Sequence, residues 1–205
     1  MDLPTTPDLS EVSPLISIWT KPRQTMRRIV DTEPTKYFLL LATLYGIFQA
    51  LNIASGISLG DELELWLIFL LCIVLGSIGG VISLYIGGWL YSWSGKKLGG
   101  TAGPEMVRAA LAWGAVPAMF GQLVYWVLGW LAYGEEMFTT YAPKLAANPT
   151  TLLLVYWIML IFGVWGTVVL LKCLGEVHGF SAWRAWGATI VGSLVLAAPV
   201  VLLSI

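Results

Sequence analysis

Few side chains in this sequence are able to do covalent chemistry, and none stands in a pattern that would let it. The single histidine, His178, has Glu176 for a neighbour. One imidazole excludes an HExxH helix or a histidine-based metal cluster, and no Ser/His/Asp constellation forms around it. Cys72 and Cys173 both fall in apolar runs, which indicates no disulfide framework. Within the apolar runs the clearest polar side chains are Gln49, Asn52 and Gln122, and no Asp, Glu, Lys or Arg lies near the middle of a run. Proton pumps and ion-coupled carriers use intramembrane ionisable groups, so this pattern argues against them. Gln49 and Gln122 are instead expected to hydrogen-bond between helices, with Asn52 a third candidate intramembrane polar contact. No catalysis, cofactor or bound metal is expected.

Charge is the remaining chemistry. Arg108 and Arg184 each sit a few residues into an apolar run that follows a short turn. Such guanidinium groups could meet lipid phosphate, an anionic ligand or an acidic partner. The plainer expectation is that they anchor the helix ends by snorkelling, with Glu105 or Glu176 as local ion-pair partners. His178 is expected to be an ordinary solvated residue of the second turn.

The elements that position these residues are transmembrane helices. The chain is 58% hydrophobic and 11% charged over 205 residues, against about a quarter charged in a soluble domain. The predicted fold is an all-α bundle of five spans, at about 37–59, 65–93, 104–133, 150–174 and 181–204. A disordered head is expected at 1–13 and an interfacial amphipathic helix within 14–31, its regular part at about 22–30 with Thr20 as N-cap and Arg23, Arg27 and Arg28 off its apolar stripe. Small residues recur every four positions, at Ala42, Gly46, Ala50 and Ala54, at Gly76 and Gly80, and at Gly79, Ser83 and Gly87. Such stripes let helices approach closely. Asp61 and Glu64 have capping-box spacing for the second span, Ser181 could cap the fifth, and Met137, Phe138, Tyr141 and Leu145 suggest that the 134–148 connection rests on an interface. Trp113, Trp126, Trp157 and Trp165 are expected to pack internally.

Ten of the eleven Lys and Arg residues fall on one predicted face, with only Lys144 on the other. The positive-inside rule then puts the N-terminus in the cytoplasm and the C-terminus outside. The expected site is the cytoplasmic surface formed by Arg23, Arg27, Arg28, Lys96, Lys97, Arg108, Glu176, His178 and Arg184. Spans two and three also resemble spans four and five as a loose parallel repeat. That repeat motivates a competing reading, a small transporter or channel with a path between the hairpins.

The stretch Trp19-Thr20-Lys21-Pro22-Arg23, then Ile29-Val30-Asp31 and Pro34 before the first span, resembles the opening of the Yip-domain family, named for Ypt/Rab-interacting proteins. The Arg-Ala openings at Arg108-Ala109 and Arg184-Ala185 are similar to its prokaryotic branch. The resemblance covers about residues 13–200. The DLxGP-type and GY-containing motifs of eukaryotic relatives do not occur. What the resemblance implies is five spans, a cytoplasmic N-terminus and short loops in a prokaryotic plasma membrane. The expected role is a non-enzymatic membrane module that organises lipids, anionic ones among them, or protein partners, with no role in nucleic-acid binding and with homo-oligomers open to it.

Overall fold

A computed structural model describes residues 13–203. Apart from Ser13, the head expected at 1–13 lies outside the described residues. Among the described residues nine α-helices follow in chain order: α1 Pro14–Ser17, α2 Pro22–Thr32, α3 Phe38–Gly56, α4 Leu65–Lys97, α5 Pro104–Gly114, α6 Val116–Tyr133, α7 Pro143–Ala147, α8 Pro149–His178 and α9 Ala182–Leu203. Among the described residues four stretches are long and apolar enough to cross a membrane: α3, α4, the α5–α6 pair as Pro104–Phe138, and α8.

Local chemistry explains the boundaries. Tyr37 and Ser58 take positive φ angles of 63° and 52° and bracket α3. The 33 residues of α4 extend about 50 Å at ~1.5 Å per residue. That helix runs through Gly79 and Gly80 to Lys97, past the expected end at 93. The third span is divided at Ala115, because Pro117 at the start of α6 has no N–H to continue the ladder. The fourth runs past the expected 174 to His178, so the second turn shrinks to Gly179–Ser181. Gly179 provides its positive φ of 73°. Ser181 caps α9 as expected, its Oγ accepting from the Arg184 N–H at 3.4 Å. Asp61 does not cap α4; its carboxylate accepts from the Thr140 N–H at 3.1 Å and 3.2 Å. Lys21, without a side-chain cap, takes the place predicted for Thr20 before α2.

The chain divides into two compact units. One comprises residues 39–84 and 117–167. Here α3 and α4 touch backbone to backbone: a methyl group on Gly46 would meet the Gly76 carbonyl, and one on Gly80 the Ala42 carbonyl. Beside that contact runs an apolar groove of about 480 Å³ lined by Gln49, Ala50, Ile53, Leu75, Gly79 and Ser83 among others. The core of this unit gathers Leu51, Ile68, Trp126, Tyr133, Met137 and Phe138. Met137 and Phe138 therefore leave the interface expected of them, because the turn at Gly134–Phe138 folds inward and Phe138 stacks on Trp126 at 5.4 Å. Trp157 and Trp165 are exposed, on surfaces of α8 suited to lipid.

The other unit comprises the described parts of 1–38, 85–116 and 168–205. Its core includes Ile18, Met26, Val107, Trp113, Val169, Cys173 and Phe180. Here α2 packs against α5. The apolar stripe of α2 (Pro22, Met26 and Ile29, with Thr25) is buried by protein, where the sequence predicts burial in the membrane interface.

Gly80 and its neighbour Gly79 give a direct test of the α3–α4 contact. Gly80→Ala should destabilise the detergent-solubilised protein by about 1–3 kcal/mol through overpacking. Gly79→Ala, where a methyl meets nothing within 4 Å, should be neutral or stabilising by up to about 1 kcal/mol. Thermal unfolding of the two variants reads the difference in sign.

Candidate functional site

The expected interaction face lies in the second unit described above. Its organising group is His178, which is 2% exposed. The imidazole stacks on Phe180 with ring centroids 4.9 Å apart and planes 5° apart. Its Nδ1 accepts from the Ala102 N–H at 3.4 Å, and its own carbonyl accepts from the Thr101 N–H at 3.3 Å. Methyl groups on Gly95 or Gly100 would occupy the ring's space. The expectation of a solvated histidine is therefore corrected. Two glycines, unremarkable in the sequence, open a slot that the ring fills, and it binds the first turn to the second. Ser92 completes the junction, its hydroxyl donating to the Ala102 carbonyl at 2.8 Å.

Glu176 lies one half-turn before His178, with its side chain 11% exposed. A carboxylate that enclosed needs charged partners, and α2 supplies two. Arg23 and Arg27 are four residues apart and so share a helix face. Arg23 Nη1 donates to Glu176 Oε2 at 3.3 Å, and its Nη2 donates to the Phe180 carbonyl at 3.1 Å. Arg27 Nε donates to Glu176 Oε1 at 2.7 Å, and its Nη2 donates to the same oxygen. Glu176 is thus the clamp for α2, and the expected pairing with Arg184 does not form. A cleft of about 710 Å³ opens here, lined by Arg23, Gln24, Arg27, Arg28, Asp31 and Thr32 together with Glu176.

Arg108 is held differently. Its stem lies over Gly88, where no side chain obstructs it, and its guanidinium carbon stands 4.6 Å from the centroid of the Tyr85 ring. Among the described residues no carboxylate pairs with it, Glu105 included, and its Nε is enclosed without a hydrogen-bond partner. Arg184, Lys96 and Lys97 are exposed. One unit thus collects every residue expected at the basic face. The structure joins Arg23, Arg27, Glu176 and His178 into one assembly with Phe180, Gly95 and Gly100, which sequence reasoning did not include. The HGF run and the paired glycines of the first turn were the available signal.

Gln49, Asn52 and Gln122 lie in the other unit. The Asn52 amide donates to Gln49 Oε1 at 3.2 Å and to Gln122 Oε1 at 3.1 Å, and Trp126 Nε1 donates to Asn52 Oδ1 at 3.1 Å. These groups bond to one another, as expected, and the groove that Gln49 lines is apolar. Among the described residues no group of three or more His, Cys, Asp or Glu side chains could hold a metal ion.

If Glu176 clamps α2, Glu176→Gln should speed amide hydrogen exchange across residues 22–32 by about tenfold, the loss of roughly 1.4 kcal/mol of charge-assisted bonding. Arg184→Gln, at an exposed position outside the clamp, should leave that segment's exchange unchanged.

Comparison with known families agrees with the resemblance of the opening stretch. The family model described as the Yip1 domain matches residues 16–205, nearly the whole chain and all of both units' described helices except the first two residues of α1. No curated protein matches, and no solved structure matches. The apolar helices and the extent of that match identify a multi-pass membrane protein, and the chain belongs to the Yip1 domain family.

Proposed function

We propose that this chain is a non-enzymatic membrane module, N-terminus in the cytoplasm and C-terminus outside, that organises anionic lipids or an acidic protein partner at its basic end. In this reading α9 is the fifth span and α2 lies at the cytoplasmic interface. The observation that carries it is the segregation of charge between the compact units. Ten of the eleven Lys and Arg residues belong to the unit of 1–38, 85–116 and 168–205, whereas the other unit holds Lys144 with Asp61, Glu62, Glu64, Glu135 and Glu136. A concentration of Lys and Arg of that kind is what the positive-inside rule produces in segments that face the cytoplasm.

The chemistry at the basic end supports binding over catalysis. Its histidine is enclosed and its most buried carboxylate is paired with two arginines, which leaves neither placed for proton transfer to a substrate. Exposed Lys96, Lys97 and Arg184, with the half-buried Arg108, are cations suited to phosphate or carboxylate partners. Each basic residue near an anionic surface contributes about 1 kcal/mol. The hydrogen bonding among Asn52, Gln49, Gln122 and Trp126 gives no support to a polar path.

Replacing Lys96, Lys97, Arg108 and Arg184 together by glutamine should therefore abolish enrichment of anionic lipid around the protein. Native mass spectrometry of protein extracted from mixed phosphatidylglycerol and phosphatidylcholine membranes measures this. Equal anionic-lipid content in wild type and variant, with no acidic protein lost from the variant's co-purifying partners, would count decisively against the proposal.

A further inference from the structure

We infer that Arg108, with Tyr85 and Gly88, forms a site for the phosphodiester of one membrane phospholipid, recognised through its phosphate whatever the net charge of its headgroup. The inference rests on reading this end of the chain as the cytoplasmic basic face, and it names the ligand of one residue there. Its starting point is a guanidinium whose hydrogen-bonding capacity is unused. Arg108 Nε is enclosed without a partner, and among the described residues no acceptor engages the terminal nitrogens. Glu105, exposed on the preceding turn of α5, forms no ion pair with it. A cation drawn partly out of water in this way costs free energy unless something outside the chain completes it.

The packing shows which edge of the guanidinium is available. The stem lies over Gly88, where a side chain would displace it. The guanidinium carbon stands 4.6 Å from the centroid of the Tyr85 ring, so the aromatic contact engages one face of the cation. Hydrogen bonds leave a guanidinium in its plane, so the ring contact does not compete with them. With Nε enclosed, the edge that remains is the Nη1–Nη2 pair. Two donors side by side match the two non-bridging oxygens of a phosphodiester. One fork reads those oxygens and not the alcohol beyond them.

Depth selects a lipid over a water-borne anion or an acidic protein. Tyr85 lies twelve residues before Lys97 on α4, about 18 Å at ~1.5 Å per residue. The headgroup layer on each side of a bilayer is only about 5–8 Å deep. Exposed Trp89 and Trp93 fall between Tyr85 and Lys97, where an aromatic belt is expected, and exposed Ile86 beside Tyr85 suits contact with hydrocarbon. A guanidinium held on Tyr85 therefore meets phospholipid before any soluble partner, with lipid phosphate inside snorkelling reach. Tyr85 itself is 46% exposed and Arg108 half-buried, so the site opens outward and not into the core.

The test counts retained lipid. Full-length protein is extracted from membranes of phosphatidylcholine alone and of phosphatidylglycerol mixed with phosphatidylcholine. Native mass spectrometry then follows phospholipid retention as collisional activation is raised. The expected result, from both membranes, is one phospholipid retained after the rest are stripped. Arg108→Gln should lower the retained fraction by about tenfold, and Tyr85→Leu, which removes the ring beneath the guanidinium, by a smaller factor. Arg108→Lys, keeping charge without the fork, should fall between wild type and Arg108→Gln and guards against a folding defect. Retention from the phosphatidylglycerol membranes alone overturns recognition of the phosphodiester itself. A retained lipid unaffected by Arg108→Gln, or none retained by wild type, overturns the site. In a second arm, lipid-depleted protein in detergent is titrated with inorganic phosphate. Saturable thermal stabilisation that Arg108→Gln abolishes would assign a water-borne anion and overturn the lipid. Loss of the site while the Lys96, Lys97, Arg108 and Arg184 variant still loses its anionic-lipid enrichment leaves the broader reading standing. Retention lost in Arg108→Gln while that four-residue variant keeps its enrichment overturns the broader reading and leaves this site.

Discussion

One buried imidazole sets the geometry of the charged end. His178 needs a flat slot, and Gly95, Gly100 and the Phe180 ring provide it. In filling that slot it supplies acceptors for the Thr101 and Ala102 N–H groups, which a glycine-rich turn could not satisfy from its own side chains. The turn after α4 and the turn after α8 thereby become one body. The Phe180 carbonyl and the Glu176 carboxylate flank His178 and project from that body, and these two acceptors hold Arg23 and Arg27. The docking of α2 and the cleft beside it thus descend from one enclosed ring.

The other unit solves its packing problem with different materials. Lipid tails are as apolar as leucine, so apolar surface alone does not bring spans together. Backbone contact at Gly46, Gly76 and Gly80 gives van der Waals attraction between α3 and α4 that any larger residue would forbid. Asn52 contributes a polar tie, its amide and carbonyl engaging Gln49, Gln122 and Trp126 at once. An amide with both its ends bonded in this way holds helices in register and leaves little reason for water to enter.

What the sequence made legible followed from period, length and charge. Long apolar runs announced the helices, four of them long and apolar enough to cross a membrane where five were expected, Ser181 announced the start of α9, and small residues every four positions marked the α3–α4 contact. Ten of the eleven Lys and Arg residues, expected on one face, fall in one compact unit. The misreadings share a cause. Glu176 and His178 were judged by their sequence neighbours, whereas their partners are Arg23, Arg27, Gly95 and Ala102, some 76 to 153 positions distant. Asp61 likewise suited a capping box locally and went instead to Thr140, 79 positions away. Met137 and Phe138 looked interfacial because composition cannot report that a five-residue 3₁₀ turn folds them beneath Trp126.

The basic end also shows how a fold keeps positive charge outward while satisfying the rules of burial. A carboxylate beside every arginine would stabilise each cation and erase the field. Among the described residues Glu176 is a nearly enclosed carboxylate that serves two arginines, so charge is balanced where α2 must dock. Among the described residues no carboxylate holds Arg108: its stem crosses Gly88 and its guanidinium rests on Tyr85. An aromatic face attracts a cation through its quadrupole and leaves the net charge intact. Replacing Tyr85 by a carboxylate would grip Arg108 more strongly and remove it from the field. An aromatic ring at that point holds the guanidinium and leaves its positive charge uncancelled.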